Sequence, residues 1–172
     1  MRHRLRITIV FLWLTLLCSC YLLAPPPRSV DASITLDGTG TPVFVYQPAI
    51  AKERELRKPR YFLAAVEVRE ADCPGPRCDQ MVWHLNSTAV WAEGDPSSKL
   101  VTLPATIRYG DGIPGMDTLI PPEVLKPDIR YSVVIGIMGV NSGSKDKIHF
   151  SANGIFKLRR DPGGKLHLVE TG

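Results

Sequence analysis

From Val30 onward the apolar residues recur with a period of two, and glycine, proline and aspartate bound each alternating stretch. Successive side chains of a strand point to opposite faces, so this pattern predicts half-buried strands joined by turns. The predicted strands are Ser33 to Leu36, Val43 to Tyr46, Tyr61 to Arg69, Met81 to Asn86, Leu100 to Tyr109, Arg130 to Val140, Lys147 to Arg159 and Lys165 to Glu170. Strands at this spacing imply an all-β chain folded as an antiparallel β-sandwich of about 7–8 strands. Only Ile50 to Lys58 has the composition for a helical turn or two, and Pro59 would end it. No internal repeat and no linker to a second domain is visible.

The first thirty residues follow a different pattern. Arg2, Arg4 and Arg6 precede an apolar run from Ile7 to Leu17, broken only by Thr8 and Thr15. A charged stretch followed by an apolar one is the order of a secretory signal. Even extended to Leu23 the run is about 17 residues, at the short limit for crossing a bilayer. Leu17-Cys18-Ser19-Cys20 resembles a lipobox, in which a small residue precedes the cysteine that receives diacylglycerol; Cys18, preceded by bulky Leu17, does not fit. The resemblance implies a signal peptide over 1–19, a lipidated Cys20 and an anchor that holds the protein to a membrane. Tyr21 stands where enteric-type lipoproteins retained in the inner membrane carry aspartate, which implies the periplasmic face of the outer membrane. Ala24 to Ser29, with Pro25, Pro26 and Pro27, reads as an extended tether. The expected division is therefore a signal peptide (1–19), a Pro-rich tether (20–29) and one β-sandwich domain (30–172).

Processing changes the charge argument. The formal charge of the full chain is +4, but three of its 21 basic side chains, Arg2, Arg4 and Arg6, leave with the signal, which nearly balances the 17 acids. A nearly neutral domain has no electrostatic footprint for a polyanion, so a nucleic-acid partner is excluded. About 150 residues remain, enough to bury a core without a metal.

Cys73 and Cys78 flank Pro74-Gly75-Pro76-Arg77. In an oxidising compartment a pair spanning such a turn is most simply a disulfide, and the spacing suits neither zinc nor a Cys-x-x-Cys redox motif. Closing so short a loop contributes only about 2 kcal/mol, so the bridge would shape a hairpin tip.

The segment Leu125-Lys126-Pro127-Asp128-Ile129-Arg130-Tyr131-Ser132-Val133 resembles the Leu-x-Pro-x-x-x-Tyr-x-Val element of fibronectin type III and other immunoglobulin-like domains. The resemblance implies an immunoglobulin-like sandwich in which Tyr131 begins a strand and bonds back to the preceding turn. A buried phenol must satisfy its hydroxyl, and doing so pins the corner. Tyr131, Val133, Ile135 and Ile137 then share one face and Val134, Gly136 and Met138 the other, the pattern of a central strand covered on both sides. Trp83 is expected in the core. Asn86-Ser87-Thr88 matches a glycosylation acceptor, which has no bearing on a bacterial lipoprotein.

No catalytic constellation emerges. There is no Gly-x-Ser-x-Gly, and Asn141-Ser142-Gly143-Ser144 reads as a hairpin turn. His84, His149 and His167 lack metal-ligand spacing, and Asp111 and Asp117 are expected to be turn residues. Neither glycine-rich stretch lies between a strand and a helix, as phosphate binding would require. The expectation is a non-enzyme with no cofactor, no metal and no evident small-molecule substrate. An enzymatic reading would have to rest on His84, Asp111 or Asp117.

Two loops have the composition of contact surfaces. Lys52, Arg54, Arg57, Lys58 and Arg60 stand against only Glu53 and Glu55, which would suit an acidic partner. Tyr109 to Met116 offers Ile113 and Met116 among turn residues, on the kind of loop that carries recognition.

Together the lipobox, the Pro42 to Tyr46 strand, Met81-Val82-Trp83-His84-Leu85, Ile107-Arg108-Tyr109-Gly110 and the Leu125 to Val133 corner resemble small bacterial lipoproteins assigned to type VI secretion immunity. The resemblance implies a periplasmic protein that neutralises a delivered toxin, and it carries over no contact residues. A structural or assembly lipoprotein of an envelope or secretion complex is the alternative. Stable retention in a large membrane complex would separate it from one-to-one toxin binding.

Overall fold

A computed structural model describes residues 28–46, 60–71, 80–87, 100–140 and 147–171. Within them the chain forms β1 (Arg28–Asp31), β2 (Ser33–Leu36), β3 (Pro42–Val45), β4 (Arg60–Glu70), β5 (Met81–Asn86), β6 (Val101–Thr102), β7 (Thr106–Arg108), β8 (Asp117–Ile120), β9 (Arg130–Val140), β10 (Lys147–Arg160) and β11 (Leu166–Thr171). Two sheets result. The larger runs β1-β10-β9-β4-β5-β8, with β11 also on β10 and β6 also on β4, and the smaller runs β2-β3-β7. The described residues form an all-β sandwich of these two sheets.

Three strand expectations need correction. Arg28 and Ser29 belong to β1, not to the tether, and pair in parallel with Phe150 and Ser151, so the sandwich begins before residue 30 and is not wholly antiparallel. Prolines mark this segment as extended, which suits an edge strand equally well. Leu100 to Tyr109 is two strands: β6 pairs with β4 in the large sheet and β7 with β3 in the small one. Pro104, which has no amide to donate, lies where the chain changes sheets. The strand β8 has no alternation to reveal it, because it lies at the edge and exposes Asp117, Thr118 and Leu119.

Elsewhere alternation and burial agree. On β9, between β10 and β4, Tyr131, Val133, Ile135 and Ile137 face the interior and are at most 1 % exposed. The opposite face is fully covered only toward Met138, which packs with Ala64, Phe62, Leu100 and Val140; Ser132, Val134 and Gly136 are half-buried. Aromatic side chains occupy the space between the sheets. Tyr131 stacks on Phe156 at 5.4 Å, Phe156 meets Phe44 of the small sheet at 5.9 Å, and Trp83 meets Tyr109 edge-on at 5.2 Å. Each such pair contributes roughly 0.5–1.5 kcal/mol beyond its buried area. Gly154 makes the close approach between sheets: a Cβ there would stand 2.8 Å from Ile34 Cδ1 and 2.9 Å from the Ala32 carbonyl.

The Leu125 to Val133 corner forms as its sequence implies. Lys126 N–H donates to the Tyr131 hydroxyl at 2.9 Å, Asp128 adopts φ 63°, and its N–H donates to the Leu158 carbonyl at 2.7 Å. Two further tyrosines act as ties. Tyr46 donates to the Pro104 carbonyl at 2.5 Å, and the Tyr109 hydroxyl lies 3.1 Å from the Val82 carbonyl and 2.8 Å from that of Glu123. Burial raises both phenol pKa values, which keeps them neutral donors.

Strand directions give the sandwich two distinct ends. The chain enters beside Phe150, near the start of β10, and β1 and β10 run the same way. The β10–β11 turn lies beyond Arg160, roughly 34 Å farther along at about 3.4 Å per residue. The β2–β3 turn packs beside it, since a Cβ on Gly40 would stand 3.6 Å from Leu166 Cβ. We call this the far end.

Candidate functional site

At the far end two turns repeat one design. In the first, Asp37 N–H donates to the Thr41 carbonyl (3.0 Å), Gly40 N–H to the Asp37 carbonyl (3.0 Å), and Thr41 N–H to Asp37 Oδ1 (2.9 Å). In the second, Asp161 N–H donates to the Lys165 carbonyl (2.9 Å), Gly164 N–H to the Asp161 carbonyl (2.9 Å), and Lys165 N–H to Asp161 Oδ1 (2.8 Å). Gly40 and Gly164 both take positive φ, 83° and 86°, the left-handed conformation that closes a hairpin through a bulge. The sequence signal is Asp-x-x-Gly followed by Thr or Lys, which a search for long repeats passes over.

Each aspartate also holds a second group. Asp37 Oδ1 accepts the Thr39 hydroxyl (2.7 Å) and Thr39 N–H (2.8 Å), while Oδ2 accepts Arg108 Nε (2.6 Å). The Thr39 hydroxyl, the Thr41 amide and Arg108 together hold the Asp37 carboxyl well below the usual range. Arg108 spans the cluster, reaching Asp111 Oδ1 at 3.2 Å and the hydroxyls of Thr39 and Thr41 at 3.1 and 3.3 Å; Asp37 first, then Asp111, raises its pKa. Asp161 lies 2.8 Å from His167 Nε2, and that bond, followed by the Lys165 amide, lowers its pKa.

Between the two turns lies an open cleft of about 660 Å³. Leu36, Leu166 and Leu168 contribute apolar surface to its lining, and Arg160, Lys165 and His167 contribute cationic or hydrogen-bonding groups.

The residues singled out from sequence are dispersed. Cys20, Lys52, Arg54, Arg57, Lys58, Cys73 and Cys78 lie outside the described residues, as do the whole Ile50 to Lys58 stretch and Asn141 to Ser144. Arg60 is exposed at the start of β4 and pairs with Val140, near where the chain enters the sandwich. Ile113 and Met116 are half-buried against the main core, so the loop exposes Asp111, Gly112, Pro114 and Gly115 instead. Trp83 is core, 1 % exposed. His84 and Asp111 take separate partners: His84 Nε2 stands 3.8 Å from Glu67 Oε1, and Asp111 meets Arg108. Asp117 is exposed at the start of β8. Among the described residues no three His, Cys, Asp or Glu side chains group as a metal site would.

No family model, curated protein or solved structure matches the chain. The reading of function therefore rests on the geometry of the sandwich and the patterns in its sequence.

Among the described residues, large apolar side chains are exposed at both edges of the large sheet. Leu119, 55 % exposed, is on the edge strand β8, and Val124, 91 % exposed, is on the segment that follows it. That segment is tied down on both sides of Val124. Glu123 N–H donates to the Val82 carbonyl at 2.9 Å, and Tyr131 holds Lys126. Val169, 44 % exposed, is on β11, at the other edge of the large sheet.

Proposed function

We propose that this chain is a lipid-anchored, non-catalytic protein-binding module on the periplasmic face of the outer membrane. Its partner is a secreted toxin that it neutralises. The observation that carries this reading is the separation of Arg28 from Val124. The tether would join the sandwich at β1, beside Phe150 on one edge of the large sheet, whereas Val124 is exposed on a braced segment that follows β8, the strand at the opposite edge. An almost fully exposed valine on a pinned segment costs little backbone ordering on binding and suits an apolar pocket of a partner.

The test is affinity capture of the acylated full chain from its own envelope, followed by mass spectrometry and repeated with Val124→Asp. One toxin-like partner recovered in equal amount, and lost with the variant, is the expected result. Recovery of a set of secretion or cell-wall machine components would instead make the chain an assembly lipoprotein. Equal capture by the variant would overturn the assignment of the surface.

A further inference from the structure

The cleft between the two far-end turns has a charge pattern that the protein-binding reading does not use. Asp37 lines the cleft and Asp161 opens the neighbouring turn, but both carboxylates are answered: Asp37 by Arg108 and the Thr39 hydroxyl, and Asp161 by His167. Two cations remain. Arg160 Nη1 donates to the Gly164 carbonyl at 2.6 Å, which fixes the guanidinium across the turn and leaves its other N–H groups to point elsewhere. Lys165 follows on the same turn, and among the described residues no carboxylate lies within ion-pair distance of either side chain. Leu36, Leu166 and Leu168 add apolar surface beside this charge. Positions where a Cβ of Gly38 or Gly164 would stand have no atom within 4 Å, so the turns leave the opening clear.

We propose that this cleft binds a monoanion carrying a branched aliphatic group, namely a carboxylate adjoining an apolar side chain. A guanidinium held in place by a backbone carbonyl is pre-organised for the planar, two-oxygen geometry of a carboxylate. Its volume is that of a small-ligand site rather than a protein interface. A free acyl amino acid and the C-terminus of a peptide share this chemistry. The proposal does not depend on the role of Val124, and the two have separate readouts.

The experiment is calorimetric titration of the acylated full chain, held in nanodiscs of zwitterionic lipid, with N-acetyl-leucine. N-acetyl-leucinamide, inorganic phosphate and a blocked pentapeptide ending in free leucine are the comparison probes. The acid is expected to bind, the amide to give no heat, and phosphate to bind at least about tenfold more weakly. Arg160→Gln is expected to weaken the acid at least about tenfold while leaving the circular dichroism of the folded chain and capture of the protein partner unchanged. Lys165→Gln acts in the same direction and serves if Arg160→Gln fails to fold. Tighter binding of the pentapeptide would assign the ligand to a chain terminus, and weaker binding to a free small acid. Equal heats for acid and amide, or full affinity in both glutamine variants, would overturn the proposal.

Discussion

Tyr131 buries its ring against Phe156 while its hydroxyl accepts the Lys126 amide proton, so one side chain joins the core to the turn before β9. Tyr131→Phe keeps the ring and removes the acceptor. Losing one hydrogen bond of this kind costs about 1–2 kcal/mol, and a urea midpoint lowered with unchanged m is the expected result. Asp37 acts through charge. Its carboxyl is more acidic in the folded chain than in the unfolded one, so the unfolded state takes up the proton first on acidification. The stability it contributes is fully present above about pH 5 and is lost as pH falls toward the depressed folded value. Asp37→Asn should therefore destabilise the chain at neutral pH and flatten the fall in stability between about pH 5 and pH 2. Asp161, depressed for a similar reason, retains its own share of that slope. A variant with the wild-type slope would remove Asp37 from the account of acid sensitivity.

Among the elements, the two matched turns and the β10 contact with the small sheet test different kinds of constraint. Gly164 has φ 86° and no neighbour near its missing Cβ, so Gly164→Ala strains only the backbone and should cost about 1–2 kcal/mol. Gly154 has no such φ, but a Cβ would meet Ile34 and the Ala32 carbonyl. Gly154→Ala should cost about 1–3 kcal/mol through overpacking. The companion substitution Ile34→Val, which shortens the nearer obstacle, should recover part of the Gly154→Ala loss and none of the Gly164→Ala loss. Urea unfolding of the four variants checks this, and equal rescue of both glycine variants would contradict the distinction. Local pattern explains which strands were legible in advance. Ser33–Leu36, Met81–Asn86 and Arg130–Val140 fall where the alternation puts them, because each has one face on the core. The edge strands β1 and β8 lacked that signal, since an edge strand need not alternate in burial.

For the whole molecule, the proposed lipid anchor and the folded sandwich are separable. Cys20→Ser in the full chain should release the protein from the membrane fraction while leaving the urea midpoint of the sandwich unchanged. Continued lipid labelling of that variant would refute the assignment of the lipobox. The all-β class, the Tyr131 corner and the core positions of Trp83 and β9 were readable from the sequence because they depend on neighbouring residues and on a period of two. The far-end cluster was not. Asp37 and Arg108 are 71 positions apart, and the β2–β3 turn meets β11 across most of the chain. Neither separation leaves a periodic trace. Ile113 and Met116 show the converse: sequence identifies an apolar pair in a turn-rich loop, but only packing decides that they cover the core while Val124 stays exposed. Alternation is a local property of the chain, whereas the cleft and the exposed valine follow from which distant strands the two sheets bring together.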